Sequence, residues 1–395
     1  MSRTSSAFAA ALILVWLTSS ARSPGPSWVR QGHHTATFTV KNPIDVARPG
    51  ETIVLAFSEI QRALPVDDVR KVHVSIPGVQ EVLAQPIDVN DDGTFEQLLF
   101  QADFGARQAR TFTLTAGERQ VYTREQFRAY GRFVRERRDD FAWENDRIAH
   151  RMYGAALETW PQEPLTSSAV DVWVKRTRRL VVNDWYMVDD YHRDHGEGAD
   201  LYSAGKSRGC GGSAVWEGGR LYPSANFRGS RVLANGPLRV MFELTYEPWD
   251  VNGKPVAETK RITLDAGQNL DRFETIYTAP AGLPAQHAIG IKKQPGSVAS
   301  PDPQQGILGT WEPIKEAGNL GCAVIVDPSS VVGFPEAEGN YLVVARVPSG
   351  GPVVYYAGFG WDKSGDFAGK ADWDVYVEQF AQRLRAPMEI TMAAR

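Results

Sequence analysis

Thr37-Phe38-Thr39-Val40, Ile53-Val54-Leu55-Ala56-Phe57, Val72-His73-Val74-Ser75-Ile76, Gln97-Leu98-Leu99-Phe100 and Thr111-Phe112-Thr113-Leu114 are five short runs in which apolar and polar residues largely alternate. A period of two puts the apolar members on one face of a strand, so each run reads as a half-buried strand. Arg48-Pro49-Gly50, Pro77-Gly78 and Asp91-Asp92-Gly93 stand between the runs, where tight turns need Pro, Gly and Asp. The stretch 27–120 is therefore expected to fold as a small N-terminal antiparallel β-sandwich. Asp88, Asn90, Asp92 and Gly93 mimic the start of a calcium loop, but position twelve is Leu99 where a bidentate glutamate is needed, so a hairpin turn is the preferred reading.

The same pattern continues over 121–395. Leu238–Tyr246, Thr259–Leu264, Phe273–Tyr277, Cys322–Val326, Tyr341–Val347 and Val353–Tyr356 read as strands punctuated by Gly and Pro. Trp373, Tyr376, Val377, Phe380 and Leu384 recur at helical spacing, with Asp372 as the expected N-cap and Pro387 beyond the end. Many strands and one C-terminal helix make this a mainly β chain whose second part is a large sandwich. Between the two parts, Tyr122 to Asp140 is highly charged and is expected to be a solvated connector.

The ends and the charge narrow the setting. Arg3, the apolar run Ala7–Leu17 and Ser19-Ser20-Ala21 form an export signal, expected to span residues 1–21 and to be cleaved; an uncleaved anchor is the alternative. Pro24 to Pro26 reads as a linker. The expected location is periplasmic or extracellular, with no membrane association after cleavage. The 43 basic and 47 acidic residues leave a net charge of −4, which gives no basic patch for nucleic acid. Cys210 and Cys322 are the only cysteines, too few for a structural zinc site; whether they pair is left open, as is the oligomeric state.

Chemistry concentrates in Trp185–Gly212. This segment holds two of the seven histidines and three tyrosines among carboxylates and glycines, more than a merely solvated loop requires. Metal ligation competes as a reading of His192, Asp194, His195, Glu197 and Asp200. His192 and His195 would share a helix face, but Gly196 and Gly198 argue against a helix, and no His-Glu-x-x-His motif exists. No cofactor or metal is assigned. No Gly-x-Ser-x-Gly elbow, phosphate loop or dinucleotide fingerprint is present. Two further segments stand out. Trp143–Gly154 alternates charge with aromatics, and Arg147 within it suits a carboxylate or a buried ion pair. Gly358–Asp366 places Trp361 where it would stack on a sugar face or fill a core. His33, His34 and His73 are read as incidental, and His150 and His287 as structural.

With these residues in view, the chain resembles domain-of-unknown-function family 4861. The resemblance is carried by Arg132-Phe133-Val134, Glu136-Arg137, Asp139 to Ala149, Arg151-Met152-Tyr153-Gly154, Asp171-Val172-Trp173, Trp185-Tyr186, Tyr191 to Gly198, Gly236-Pro237-Leu238-Arg239 and Gly360-Trp361-Asp362-Lys363-Ser364-Gly365-Asp366. It implies a galactose-mutarotase-like β-supersandwich and a setting among proteins of acidic-polysaccharide breakdown. It further implies an oligosaccharide substrate and a dehydratase or lyase that eliminates across C4–C5 of a uronic acid.

Such an elimination needs a cation for the carboxylate, a base for the C5 proton and an acid for the leaving hydroxyl. His192 is the first choice as base and His195 the second, because imidazole titrates near neutrality. Tyr202 and Tyr191 are the acid candidates. Arg147, Lys206 and Arg228 are the candidate carboxylate ligands, and Glu197, Trp361 and Lys363 complete the expected binding set. The alternatives are a glycoside hydrolase using a carboxylate pair such as Glu197 and Asp200, and a non-catalytic glycan-binding protein.

Overall fold

A computed structural model describes residues 35–78, 81–314 and 316–393. The expected export signal, the Pro24 to Pro26 linker, His33 and His34 lie outside the described residues. The alternating runs near the N-terminus form strands of two facing sheets. In one, Thr35–Lys41 pairs with Ala109–Ala116, which pairs with Val72–Ser75; in the other, Arg48–Ala56 pairs with Gln97–Phe104 and that with Ala84–Ile87. Phe38, Val40, Ile53, Leu55, Val72, Val74, Phe100, Phe112 and Leu114 point between the sheets, as a period of two requires. Phe38 lies opposite Phe112, their rings stacked at 5.4 Å. The chain's last strand, Glu389–Met392, returns to pair with Thr35–Lys41 and adds Met388, Ile390 and Met392 to this core.

The remainder builds three antiparallel sheets around one larger core. An eight-stranded sheet runs in the order Gly229–Asn235, Arg239–Val251, Lys254–Asp265, Leu270–Thr278, Val353–Trp361, Gly318–Val326, Ile307–Ile314, Val298–Asp302. A six-stranded sheet contains Cys210–Glu217, Gln286–Lys292 and Asn340–Arg346. A five-stranded sheet runs Gly198–Ala199, Asp171–Lys175, Ala149–Met152, Asp140–Asn145, Ala129–Val134. All three contribute to one buried cluster, including Phe141, Trp143, Val172, Phe242, Ile289, Tyr341, Tyr355 and Phe359. This is the mainly β, sandwich-on-sandwich architecture with a C-terminal helix expected from the alternation, and it agrees with a galactose-mutarotase-like supersandwich.

Among the described residues three α-helices interrupt the sheets: α1 (Phe57–Ala63), α2 (Val182–Val188) and α3 (Lys370–Arg385). In α3, Trp373, Val377 and Phe380 are buried, as their spacing predicts. Asp372 is not the N-cap. That position is Gly369, and Asp372 sits in the first turn, where its carboxylate accepts the Ala368 N–H at 2.8 Å. Gly321 and Gly360 are glycines because a Cβ at either would run into the Trp373 ring. The connector is also not simply solvated. It contains the strand Ala129–Val134, and at its end Arg137 and Asp140 are 7% and 0% exposed. Their charges must find partners inside the protein.

Candidate functional site

The strands Asp140–Asn145, Ala149–Met152 and Asp171–Lys175 are buried on both faces, so the side chains of either face are kept from water. Several of those side chains are nevertheless ionisable: Asp140, Glu144, His150, Arg151, Asp171 and Lys175. A charge in such a place is tolerated only with close, hydrogen-bonded counter-charges. Lys175 donates to Glu144 at 2.7 Å and to the Asn145 carbonyl at 2.7 Å, and Glu144 also accepts the Val181 and Val182 N–H groups at the start of α2.

Arg151 is the centre of the larger network. Its Nε donates to Asp171 Oδ2 at 2.8 Å, its Nη2 to Asp200 Oδ2 at 2.7 Å, and its Nη1 lies 3.5 Å from Asp140 Oδ2. Tyr153 donates to Asp171 at 2.9 Å and Tyr186 to Asp140 at 3.1 Å. Arg137 donates to the Tyr191 hydroxyl at 2.6 Å, and Tyr191 stacks on Trp173 at 4.9 Å. Three carboxyls thus share one fully buried guanidinium and the flank of a second. Burial pushes Asp140 up to about 7 against the pull of Arg151 and Arg137. Burial also pushes Asp200 up, with Arg151 opposing it.

One member of this network reaches water. His192 Nδ1 lies 3.3 Å from Asp200 Oδ2 and 3.3 Å from the Asp200 carbonyl, while its side chain is 64% exposed. α2 ends at Asp189 in the left-handed region, which turns the chain so that Tyr191 enters the core and His192 stays at its edge. The result is an exposed imidazole hydrogen-bonded to the Asp200 main-chain carbonyl and lying beside the Asp200 carboxylate, which Arg151 binds.

The other expected site residues are placed as follows. His195 is exposed and binds Asp190 at 2.8 Å, away from the Arg151 network. Tyr202 is buried, and its hydroxyl has no hydrogen-bond partner among the described residues. Tyr191 is a buried relay between Arg137 and Trp173. Glu197 is held by Arg179, whose hydrogen bond keeps its carboxyl below the usual range. Asp200 is held by Arg151 instead, so the expected Glu197–Asp200 pair is divided between two arginines. Arg147 binds Asp366 in company with Arg178, and Arg228 binds Glu158 through two contacts of 3.0 Å; neither joins His192. Lys206 and Lys363 are exposed and make no ion pair with the described residues. Trp361 is 1% exposed, donates to the Ala317 carbonyl at 2.8 Å and carries Arg176 over its ring at 4.8 Å, the core placement of the two readings open for it.

Arg151, Asp171 and Asp140 had been given no role. The signal available for them was charge inside a run whose alternation fits a strand, as with Arg151 in Ala149-His150-Arg151-Met152-Tyr153. Elsewhere, a cleft of about 810 Å³ is lined by Arg124, Arg128, Tyr130, Arg178, Arg179 and Asp184 among others, and His192 is not on its wall. Asp88, Asp92 and Glu96 bring carboxylate oxygens within 4.8 Å of one another. Asp88 accepts the N–H groups of Asp91 at 2.6 Å and Gly93 at 2.8 Å, the bonding of the tight turn expected there.

Comparison with known proteins places this geometry among relatives. The chain is 32% identical over 383 residues to "Uncharacterized protein P7" of Formosa agariphila, covering 93% of this chain and 95% of that one. Among solved structures it is similar to a protein in the glycosyl hydrolase family 38 from Enterococcus faecalis, with a TM-score of 0.50, 11% identity and coverage of 92% of this chain and 48% of that one. An alpha-mannosidase from Enterococcus faecalis gives a TM-score of 0.49 at 11% identity, over 92% and 46% of the two chains. This chain spans about half the length of those structures, and at such identity the likeness concerns the fold alone. Residues 40–390 match the model of the family described as "Domain of unknown function (DUF4861)", and the chain belongs to that family.

Proposed function

We propose that this protein is a carbohydrate-active enzyme that breaks a carbon–oxygen bond of a saccharide by proton transfer through His192. The observation that carries the reading is the exposed imidazole whose Nδ1 faces buried Asp200, itself bound to Arg151. The Asp200 main-chain carbonyl, 3.3 Å from Nδ1, favours the tautomer with its proton on Nδ1, which leaves Nε2 facing the surface. Proton transfer from a positioned group contributes roughly 10²–10⁴ in rate.

Hydrolysis of a glycosidic bond is the first reading. It is supported by the carboxylate beside His192 and by the glycosyl hydrolase family 38 name of the similar Enterococcus faecalis protein. Elimination across C4–C5 of a uronic acid is the second reading. It is supported by a histidine base close in sequence to Lys206, an exposed cation with no ion pair among the described residues and so free to meet a carboxylate. Action outside the cytoplasm, after removal of residues 1–21, belongs to the same proposal and is checked by sequencing the N-terminus of the mature protein.

The test uses neutral and uronic-acid-terminated oligosaccharides and product mass. Hydrolysis adds one water across the products and creates reducing ends; elimination of water removes one and creates an ultraviolet-absorbing double bond. His192→Ala should lower turnover by about 10²–10⁴ while the melting temperature stays put. A His192→Ala protein with wild-type turnover, or a wild-type protein that binds saccharide and never converts it, would falsify the proposal.

A further inference from the structure

The eight-stranded sheet has a second face. Ile262, Phe273 and Tyr355 lie opposite one another on adjacent strands and enter the large core. A period of two therefore turns the next row, Thr263, Arg272 and Tyr356, to the outer face. There the sheet meets α3 and the strand Arg48–Ala56 of the N-terminal sandwich. Thr263, Arg272 and Tyr356 line a pocket of about 230 Å³ together with Glu51 from that strand and Arg383 from α3. His192, Asp200 and Arg151 are not on its wall.

The charges around this pocket do not balance. Arg239 holds Asp265 through two contacts, of 2.6 and 2.8 Å, and Arg272 pairs with Glu274. Arg48 donates to Glu51 Oε1 at 2.9 Å, to Asn42 at 2.9 Å and to the Ala386 carbonyl, so it is fully bonded. Arg383 is the cation left over. Its side chain is 10% exposed, and it lies 3.8 Å from Glu51 Oε2, too far for a hydrogen bond. Its buried Nε has no partner among the described residues. Its guanidinium sits over the Phe380 ring at 5.1 Å and the Tyr376 ring at 5.9 Å, which hold it in place without cancelling its charge. Four guanidiniums thus meet three carboxylates, Glu51, Asp265 and Glu274. A cation shielded from water and short of hydrogen-bonded counter-charge is costly, and the pocket beside Arg383 gives an anion room to supply it.

We propose that this pocket is an accessory site for a small carboxylate the size of one sugar acid, with Arg383 as its anchor. The single excess positive charge matches a monoanion, and a guanidinium suits a carboxylate in particular. The volume lies below the roughly 300–1,000 Å³ of sites for drug-sized ligands, which limits the guest to about one ring. Thr263, Gln268 and Asp265 on the wall offer hydrogen bonds to ring hydroxyls, and Tyr356 and Phe380 offer apolar surface to ring carbons. A uronic acid residue meets both demands. The choice of a sugar acid rests on the saccharide reading of the function; the need for an anion follows from the charges alone.

The experiment titrates the whole protein with galacturonic acid, neutral galactose and sulfate in a buffer free of other oxyanions. Galacturonic acid should bind with a dissociation constant of about 1 mM or tighter, and galactose at least about tenfold more weakly. Bound galacturonic acid should slow amide hydrogen exchange in 51–56 and 376–384. Arg383→Met keeps the aliphatic stem and removes the charge, so it should weaken galacturonic acid at least about tenfold. Without ligand the same variant should melt at or above the wild-type temperature, whereas a purely structural Arg383–Glu51 ion pair predicts a lower one. Arg383→Lys keeps the charge without the planar fork and should fall between wild type and Arg383→Met in affinity. Galacturonic acid binding weaker than about 10 mM, equal affinity for galactose, sulfate binding tenfold tighter than galacturonic acid, or full affinity in Arg383→Met overturns the site. So does a ligand-free Arg383→Met protein that melts several degrees below wild type. The two proposals fail separately. Full turnover in His192→Ala sinks the functional reading and leaves the pocket standing, while bound galacturonic acid that leaves 376–384 unprotected sinks the pocket and leaves His192 untouched.

Discussion

Replacing Arg151 with methionine would leave three carboxyls facing one another without their shared cation. Arg151 is 3% exposed and makes charge-assisted contacts of 2.8 Å to Asp171 and 2.7 Å to Asp200, with Asp140 at 3.5 Å. Two such bonds, at roughly 1.5–3 kcal/mol each, set a loss of about 3–6 kcal/mol. Removing one partner of a buried ion network costs about 3–5 kcal/mol by itself, and the two figures describe the same loss and do not add. The expected destabilisation is therefore about 3–5 kcal/mol at pH 8. The sign of its pH dependence follows from linkage. Arg151 holds the Asp140 and Asp200 carboxyls down in the wild type, so without it they bind protons more tightly still, and the variant gains more stability than wild type as the pH falls. Urea unfolding at pH 8 and pH 5 measures both numbers, and the deficit should shrink by at least about 1 kcal/mol at pH 5. A loss under about 1 kcal/mol at pH 8, or a deficit that grows on acidification, would refute the picture of Arg151 as the counter-charge of this cluster.

Asp140→Asn probes the same cluster from the acid side. Asp140 rises from 3.8 to about 7 in the fold, so the folded wild-type protein binds the extra proton and loses stability as the pH climbs through that window. The Asn variant lacks this loss, and its stability relative to wild type should climb by about 2–4 kcal/mol between pH 4 and 7 and then level off; a flat difference contradicts the assignment. Gly198→Ala should destabilise by about 2–4 kcal/mol in thermal unfolding, because Gly198 sits at φ +116° and a Cβ would fall on the Val174 carbonyl oxygen. His195→Ala should change stability by no more than about 1 kcal/mol and turnover by only a few-fold, because its pairing with Asp190 at 2.8 Å is a surface contact; a hundredfold loss of turnover would move the proton-transfer role from His192 to His195.

The candidate site was legible in part. The density of titratable groups after Trp185 singled out the segment that carries His192 and Asp200, because a chain position needs no tertiary information to be unusual in composition. What each residue does there depends on who faces it. Two histidines three residues apart in the sequence fare differently: His192 meets a buried carboxylate 3.3 Å away, whereas His195 meets exposed Asp190. Trp361 between glycines read equally well as a sugar platform or a core residue. The structure puts it at the inner end of a strand under Arg176, because Val353–Trp361 extends five residues beyond the run visible in the sequence.

The amino-acid order alone determined many of the strands, the long helix and the mainly β class. These follow from periodicity, since apolar residues two apart, or three and four apart, must share a buried face wherever the element lies. It did not determine which charges are buried. Arg137, Asp140, Arg151 and Asp171 look like solvated polar residues until strands distant in sequence pack around them. Asp200, 49 residues beyond Arg151, supplies the counter-charge. Electrostatic partnership depends on distances through space between groups far apart along the chain, and only the assembled sheets fix those distances.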